Sequence, residues 1–246
     1  MFRKIRLHIA QSLSEQNAVQ LNIKQSHYLL SVMRCNHGDK IKIFNQEYGE
    51  WIGELTLVKK NLYIKPLKLL QILSIRPQSE LVLCFAPTKK YGEFVVEKAT
   101  ELGVDCIMPI LTERSIVNKI NLEKYQTTAI EAAEQSNRLS LPIIFEMSAI
   151  KDIKAILTKH YINKKIIYVM CHIDCQTPLS IESLQMIMPQ DDNFVLVMLI
   201  GPEGGFTDND ARFFDNILQI GDGIMRAETA AIVSMTIGCI LIHKFK

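Results

Sequence analysis

The chain has 246 residues, 48% of them hydrophobic and 22% charged, the composition of a globular protein of one large or two modest domains, which excludes disordered, fibrous and disulfide-scaffolded chains. Its longest unbroken apolar run, Phe194 to Ile200, covers seven residues, far short of the roughly 20 needed to cross a bilayer. Net charge is only +2, yet residues 1–72 hold 11 Lys or Arg against 5 Asp or Glu, and the remainder holds 17 against 21. An anionic partner is therefore expected, if anywhere, at the amino end.

In chain order, the first third reads as short strands with one helix. Ile5 to Ile9, Lys40 to Asn45, Glu50 to Val58 and Leu62 to Leu69 are β-rich runs, several alternating apolar and polar residues, with Gly38-Asp39, Tyr48-Gly49 and Lys59-Lys60-Asn61 as turns. Arg3, Lys4, Arg6 and His8 interrupt the apolar residues of the amino terminus, unlike a secretory signal; a cytoplasmic protein is expected. Ser26 is placed to cap a helix carrying Tyr28, Leu29, Val32 and Met33 at helical spacing and ending near Arg34. A boundary is expected near Ser74 to Ser79, dividing a small β-barrel domain (1–73) from an α/β domain (74–246).

From Glu80 the pattern alternates short apolar strands with amphipathic helices, the signature of a parallel sheet covered on both faces. Strands are predicted at Leu81 to Phe85, Cys106 to Leu111, Ile143 to Glu146, Ile166 to Met170, Phe194 to Ile200 and Ile217 to Ile220. Helices are predicted at Tyr91 to Leu102, Leu122 to Leu139, Ala149 to His160, Ile181 to Met188, Asp208 to Asn216 and Glu228 to His243. Gly103 follows the first of these, Asn121 and Ser148 precede the second and third, and Thr207 with Asp210 forms a capping box before the fifth.

Five of the eleven glycines, Gly201, Gly204, Gly205, Gly221 and Gly223, fall within 23 residues and follow two predicted strands. Ligands of open parallel sheets bind beyond the carboxyl ends of strands, so the loops Ile200 to Phe206 and Ile220 to Ala230 are the candidate site. Neither matches a phosphate-cradling spacing, no Lys follows, and Glu203 repels a triphosphate. Arg226 and Glu228, at the start of the last helix, are residues that a plain turn does not need. Six cysteines lack CxxC pairing and suit reduced thiols. The one tight cluster, Cys171, His172 and Cys175, reads either as a metal site lacking a second ligand pair or as small side chains beside a strand end; no metal is expected.

The run Gly201-Pro202-Glu203-Gly204-Gly205-Phe206, followed by Ile224-Met225-Arg226-Ala227-Glu228-Thr229-Ala230 and an apolar helix, resembles the signature of the ribosomal small-subunit methyltransferase E family, of the SPOUT class of RNA methyltransferases. His27-Tyr28-Leu29 with Val32-Met33-Arg34, Glu97 to Val104, Thr112-Glu113-Arg114-Ser115, and Glu131 to Arg138 with Pro142 are similar too, in family order over nearly the whole chain. The resemblance implies a PUA-like or OB-like β-barrel, then a SPOUT-type α/β domain with a carboxyl-terminal trefoil knot. It implies a homodimer that uses S-adenosyl-L-methionine to methylate N3 of a uridine in the decoding region of 16S rRNA in the small ribosomal subunit. The alternatives are a tRNA-methylating SPOUT relative and a catalytically silent RNA-binding protein of the same fold.

On that reading Leu199, Ile200, Gly201, Glu203, Gly204, Gly205, Ile220, Gly221, Ile224, Met225, Thr229 and Ala230 hold the cofactor. Arg226 either stabilises charge on the uracil carbonyls or grips a flanking phosphate, and Glu228 either accepts the N3 proton or caps the helix. His27 and Arg34, on one helix, with Lys40 and Lys42 on the next strand, form the RNA patch; Arg114 and Arg138 either extend it or pair with carboxylates. Trp51 is expected in the barrel core, and Glu131 and Glu134 on a solvated helix face. Gly223 departs from the family pattern, which usually carries arginine there.

Overall fold

The computed structural model describes residues 1–72 and 78–243, which form two compact units. The expected boundary near Ser74 to Ser79 lies mostly outside the described residues. The first unit comprises residues 1–72 and Ala133–Leu141. Its five strands are β1 (Phe2–His8), β2 (Val19–Gln20), β3 (Lys40–Asn45), β4 (Gly49–Val58) and β5 (Asn61–Gln71), in the sheet order β1-β3-β4-β5-β2. β1 pairs with β3 in parallel and the other pairs are antiparallel. Alternation along β3 turns Ile41 and Ile43 into a core with Ile9, Leu29, Leu55, Leu62 and Ile64, while Lys40 and Lys42 point outward. Trp51 packs at the edge of this core and donates its indole N–H to the Tyr48 carbonyl at 2.7 Å.

Helix α1 (Ile23–His27) departs from the predicted helix in both limits. Asn22, not Ser26, is its cap: the Asn22 side chain accepts the Gln25 N–H at 2.8 Å and the Gln25 side chain accepts the Asn22 N–H at 3.1 Å. This reciprocal pair satisfies two helix donors at once, which one serine hydroxyl cannot. The chain then widens into a single π-turn, Tyr28–Val32, and Arg34 adopts a left-handed φ of 51°, off the helix altogether. His27 and Arg34 therefore do not share a helix face.

The opposite side of this sheet holds Phe44 against Ala133 and Leu139. Arg6 is buried there, its guanidinium 3.6 Å from the centre of the Phe44 ring. It donates to Glu50 at 2.6 Å, to the Ala133 carbonyl at 2.6 Å and to the Arg138 carbonyl at 2.9 Å. A buried charge persists only when its donors are matched, and these three acceptors match it. Glu134 is correspondingly not a solvated residue, because its carboxylate accepts the His8 N–H at 2.9 Å.

The second unit, residues 78–132 and 142–243, is a parallel sheet in the order β12-β10-β11-β6-β7-β8, with β9 also on β7. Its elements are β6 (Glu80–Phe85), α2 (Gly92–Leu102), β7 (Cys106–Leu111), α3 (Leu122–Gln135, whose end from Ala133 lies in the first unit), β8 (Ile143–Ile144), β9 (Ser148–Ala149), α4 (Ile153–His160), β10 (Lys165–Cys171), α5 (Ile181–Ile187), β11 (Phe194–Ile200), α6 (Asp208–Ala211), β12 (Asn216–Leu218) and α7 (Ala227–His243). Every residue of β11 is buried: Phe194, Leu196, Met198 and Ile200 face one core, Val195, Val197 and Leu199 the other. Two covered faces explain the unbroken apolar run. Among the described residues no helix is long and apolar enough to cross a membrane.

Three predicted helices are shorter than expected. α3 stops at Gln135, because Asn137 turns left-handed (φ 58°) as the chain bends so that the Ala133 and Arg138 carbonyls both reach Arg6. The predicted Ala149 to His160 helix begins only at Ile153: Ser148 and Ala149 pair with β7, and a 3₁₀ turn follows. α6 ends at Ala211, after which Phe214 turns into the core and Asn216 joins β10, donating its amide to the Tyr168 carbonyl at 3.0 Å. Asn121 and the Thr207–Asp210 box cap α3 and α6 as read from the sequence.

Candidate active site

β10, β11 and β12 lie side by side and end at Cys171, Ile200 and Leu218, so the loops that follow converge at one edge of the sheet. They enclose a cavity of about 220 Å³. Of the predicted cofactor residues, Ile200, Gly201, Glu203, Gly204, Gly205, Ile220, Ile224, Met225 and Ala230 line it, bringing both glycine loops to one site. Leu199 is fully buried in the core beneath, Gly221 forms the turn before Met225, and Thr229 is exposed on the first turn of α7.

The glycine loop is held in shape by contacts that its own sequence does not announce. Gly205 takes φ +71° and donates its N–H to the Pro202 carbonyl at 2.8 Å, a tight turn that a side chain would strain. A Cβ on Gly201 would sit 3.2 Å from the Phe206 ring, so the backbone there is bare where it borders the cavity. Arg114 donates to the Gly204 carbonyl at 2.7 Å. Its neighbour Glu113 accepts from Thr207 at 2.8 Å and from Asn209 at 3.0 Å. The Thr112–Ser115 segment after β7 thus clamps the loop after β11, and Arg114 belongs to the cavity wall.

His172 is a site residue to which the sequence assigns no role beyond a doubtful metal cluster. Its Nδ1 accepts the Asp174 N–H at 3.1 Å, which leaves the proton on Nε2, 3.3 Å from the Phe206 carbonyl. The imidazole also stacks on the Phe206 ring, with centroids 6.5 Å apart. Cys171 and Cys175 contribute otherwise: burial pushes the Cys171 thiol up to about 12, and Cys175 donates to the Ile217 carbonyl at 2.9 Å. Among the described residues no three His, Cys, Asp or Glu side chains gather as a metal site.

The ionic character of the cavity is distinctive. Its charged lining groups are the carboxylates of Asp174 and Glu203 and the guanidinium of Arg114, already committed to a carbonyl. That suits a ligand carrying positive charge and repels a polyphosphate. Arg226 is exposed at the entry to α7, between Met225 and Ala227 of the lining. Glu228 is buried in the first turn of the helix, beside Phe85, Thr88 and Ile200, around a separate space of about 10 Å³. Gly223 lines the cavity, and a Cβ there would meet nothing within 4 Å, so its surroundings are open.

The predicted RNA-binding residues are unequally available. His27 and Arg34 are exposed, and neither side chain has an ion pair among the described residues. Lys40 pairs with Glu54 at 3.6 Å, and Lys42 pairs with Glu50 at 3.1 Å. Arg138 donates to Ser140 at 3.0 Å while its carbonyl serves Arg6. Lys42 and Arg138 are thus tied into the support of the first unit.

Residues 76–238 match the RNA methyltransferase domain family and residues 21–67 the RNA methyltransferase PUA domain family. The ribosomal RNA small subunit methyltransferase E of Rickettsia conorii is 30% identical over 237 residues, covering 94% of this chain and 93% of that protein. That of Synechocystis is 31% identical over 242 residues, covering 94% and 75%. A crystal structure of the Neisseria gonorrhoeae enzyme of that name, bound to S-adenosyl methionine, shares the fold with a TM-score of 0.78 at 22% identity over 95% of each chain. With this extent of matching in both units, the chain belongs to the ribosomal RNA small subunit methyltransferase E family.

Proposed function

We propose that the chain methylates N3 of a uridine in the decoding region of 16S rRNA, with S-adenosyl-L-methionine as donor. The observation that carries this is the single cavity built from both glycine loops, bare of side chains at Gly201 and Gly204 and poor in free cations. The cofactor fits such a site: apolar Ile220, Ile224, Met225 and Ala230 suit its adenosine, and Glu203 and Asp174 suit its positive charge. When bound, it supplies a methyl group on a sulfonium, which uracil N3 takes as the carbon–sulfur bond breaks and the N3 proton leaves.

The protein's part is to position uracil and stabilise the charge that its carbonyl oxygens gain as N3 is deprotonated. We assign the charge stabilisation to Arg226, which is exposed beside the cavity. Glu228 is assigned the proton, reached through one water, for which a space of about 10 Å³ is the right size. The first unit, with its basic excess, is read as the RNA-binding domain, and His27 and Arg34 as its exposed contacts. A cytoplasmic homodimer is part of the same reading, joined through α7, whose Ile232, Val233 and Ile237 are only partly covered and whose Ile240 is exposed. So is a trefoil knot, supported by the chain's return from β12, beyond β10, to α7 against β6 and β11.

The test is single-turnover transfer of a labelled methyl group to unmodified small subunits. Arg226→Ala is expected to slow transfer about 100-fold or more while cofactor affinity, measured by calorimetry, stays within about threefold. Full transfer by that variant would remove Arg226 from the chemistry.

A further inference from the structure

We propose that a second cavity, beside the cofactor site, is the subsite for a nucleotide flanking the target, with Lys89 and Lys90 holding its phosphates. This rests on the function proposed above and adds to it the place where the RNA strand enters. The cavity measures about 150 Å³ and lies beyond the carboxyl end of β6, walled by Pro87, Ile116 and Pro202. Lys89, Lys90 and Glu203 line it as well. Pro202 and Glu203 also line the cofactor cavity, so the two spaces share a wall.

Four observations fit a nucleotide. The walls include exposed apolar surface, with Ile116 64% accessible, against which a base face loses water. Both lysines are exposed and, among the described residues, neither forms an ion pair; the Lys90 ammonium only overlies the Tyr91 ring at 5.2 Å. Of the acids on the helix that follows them, Glu93 pairs with Lys124 at 2.6 Å, and Glu97 and Glu101 pair with Lys98 at 2.6 and 2.9 Å. The platform is also firm. Thr88 accepts the Tyr91 N–H at 3.2 Å, and Gly92 abuts the Tyr125 hydroxyl so closely that no side chain fits.

Charge sets the orientation. Phosphates go to the lysines, and the base edge, which carries N–H donors, goes toward the Glu203 carboxylate and the shared wall. Ammonium groups act as point charges on phosphates and carry no base information, so this subsite sets register along the strand.

The test compares the wild type, Lys89→Ala/Lys90→Ala and the charge-matched Lys151→Ala/Lys159→Ala. Each is measured for cofactor affinity by calorimetry and for affinity to a synthetic 16S decoding-region RNA and to unmodified small subunits over a range of salt. The lysine-pair variant is expected to keep cofactor affinity within about twofold. It should bind both RNAs about tenfold more weakly and reduce the slope of log affinity against log salt by roughly 1.5, as two lost phosphate contacts require. An unchanged slope and affinity, or an equal loss in the Lys151/Lys159 variant, would overturn the subsite. A wild type that neither binds nor methylates small subunits would instead overturn the function on which it rests.

Discussion

His8 shows how one side chain carries a pH dependence. Its ring lies edge-on to Phe44 with centroids 5.3 Å apart, and burial, then the charge of Arg6, holds its pKa below the usual histidine value. The unfolded chain therefore takes up a proton that the folded chain refuses. The stability due to the neutral ring is complete above about pH 6.5, the ordinary histidine value, and is lost as pH falls below it. Urea unfolding at about pH 7.5 and about pH 5.5 is expected to show a larger loss for the wild type than for His8→Gln; equal losses would count against this account. At the same scale, the meeting of the two glycine loops around one cavity was legible, because five glycines crowd into two loops that follow strands. His172 and Arg114 were not legible in these roles, since each acts on a backbone carbonyl 34 or 90 positions away, and no local pattern encodes such a contact.

Among elements, the two clamps on the glycine loop make its rigidity a property of its neighbours. Arg114, from the segment after β7, and His172, just after β10, hold the Gly204 and Phe206 carbonyls of the loop that follows β11. Removing one exposed hydrogen bond to a carbonyl costs roughly 0.5–1.5 kcal/mol. Arg114→Ala should accordingly weaken cofactor binding about three- to tenfold by calorimetry and lower the melting temperature by at most about 6 °C. An unchanged cofactor affinity would mean that the loop keeps its shape unaided. β3, β7 and β11 match their predicted limits residue for residue, because each is a clean apolar or alternating run. β2 and β9, two residues each, are too short for any periodicity. The predicted Asp208 to Asn216 helix fails because its amphipathic pattern yields to the burial of Phe214 and the pairing of β12 with β10.

For the whole molecule, the chain's division into units is not sequential. Ala133–Leu141 belongs to the amino-terminal unit although the residues on either side belong to the other, held by Arg6 across separations of 127 and 132 residues. A boundary sought from composition cannot reveal such an inserted segment, because nothing in the local sequence of Ala133–Leu141 marks its partner. The apolar α7 is a second property of the molecule. An isolated domain gains little from leaving Ile240 46% exposed beside the half-covered Ile237 and Val233, whereas a second copy covering that stripe removes it from water. Light scattering is expected to give twice the chain mass, and Ile240→Lys to shift the protein toward the monomer; a monomeric wild type would contradict the dimer.

The central claim is tested most directly by incubating the purified protein with labelled S-adenosyl-L-methionine and small ribosomal subunits from cells lacking the modification, then locating the label in the RNA by mass spectrometry. The account predicts one N3-methyluridine, in the decoding region of 16S rRNA. Cofactor binding without transfer to these subunits, or a methyl group on any other atom, would contradict it.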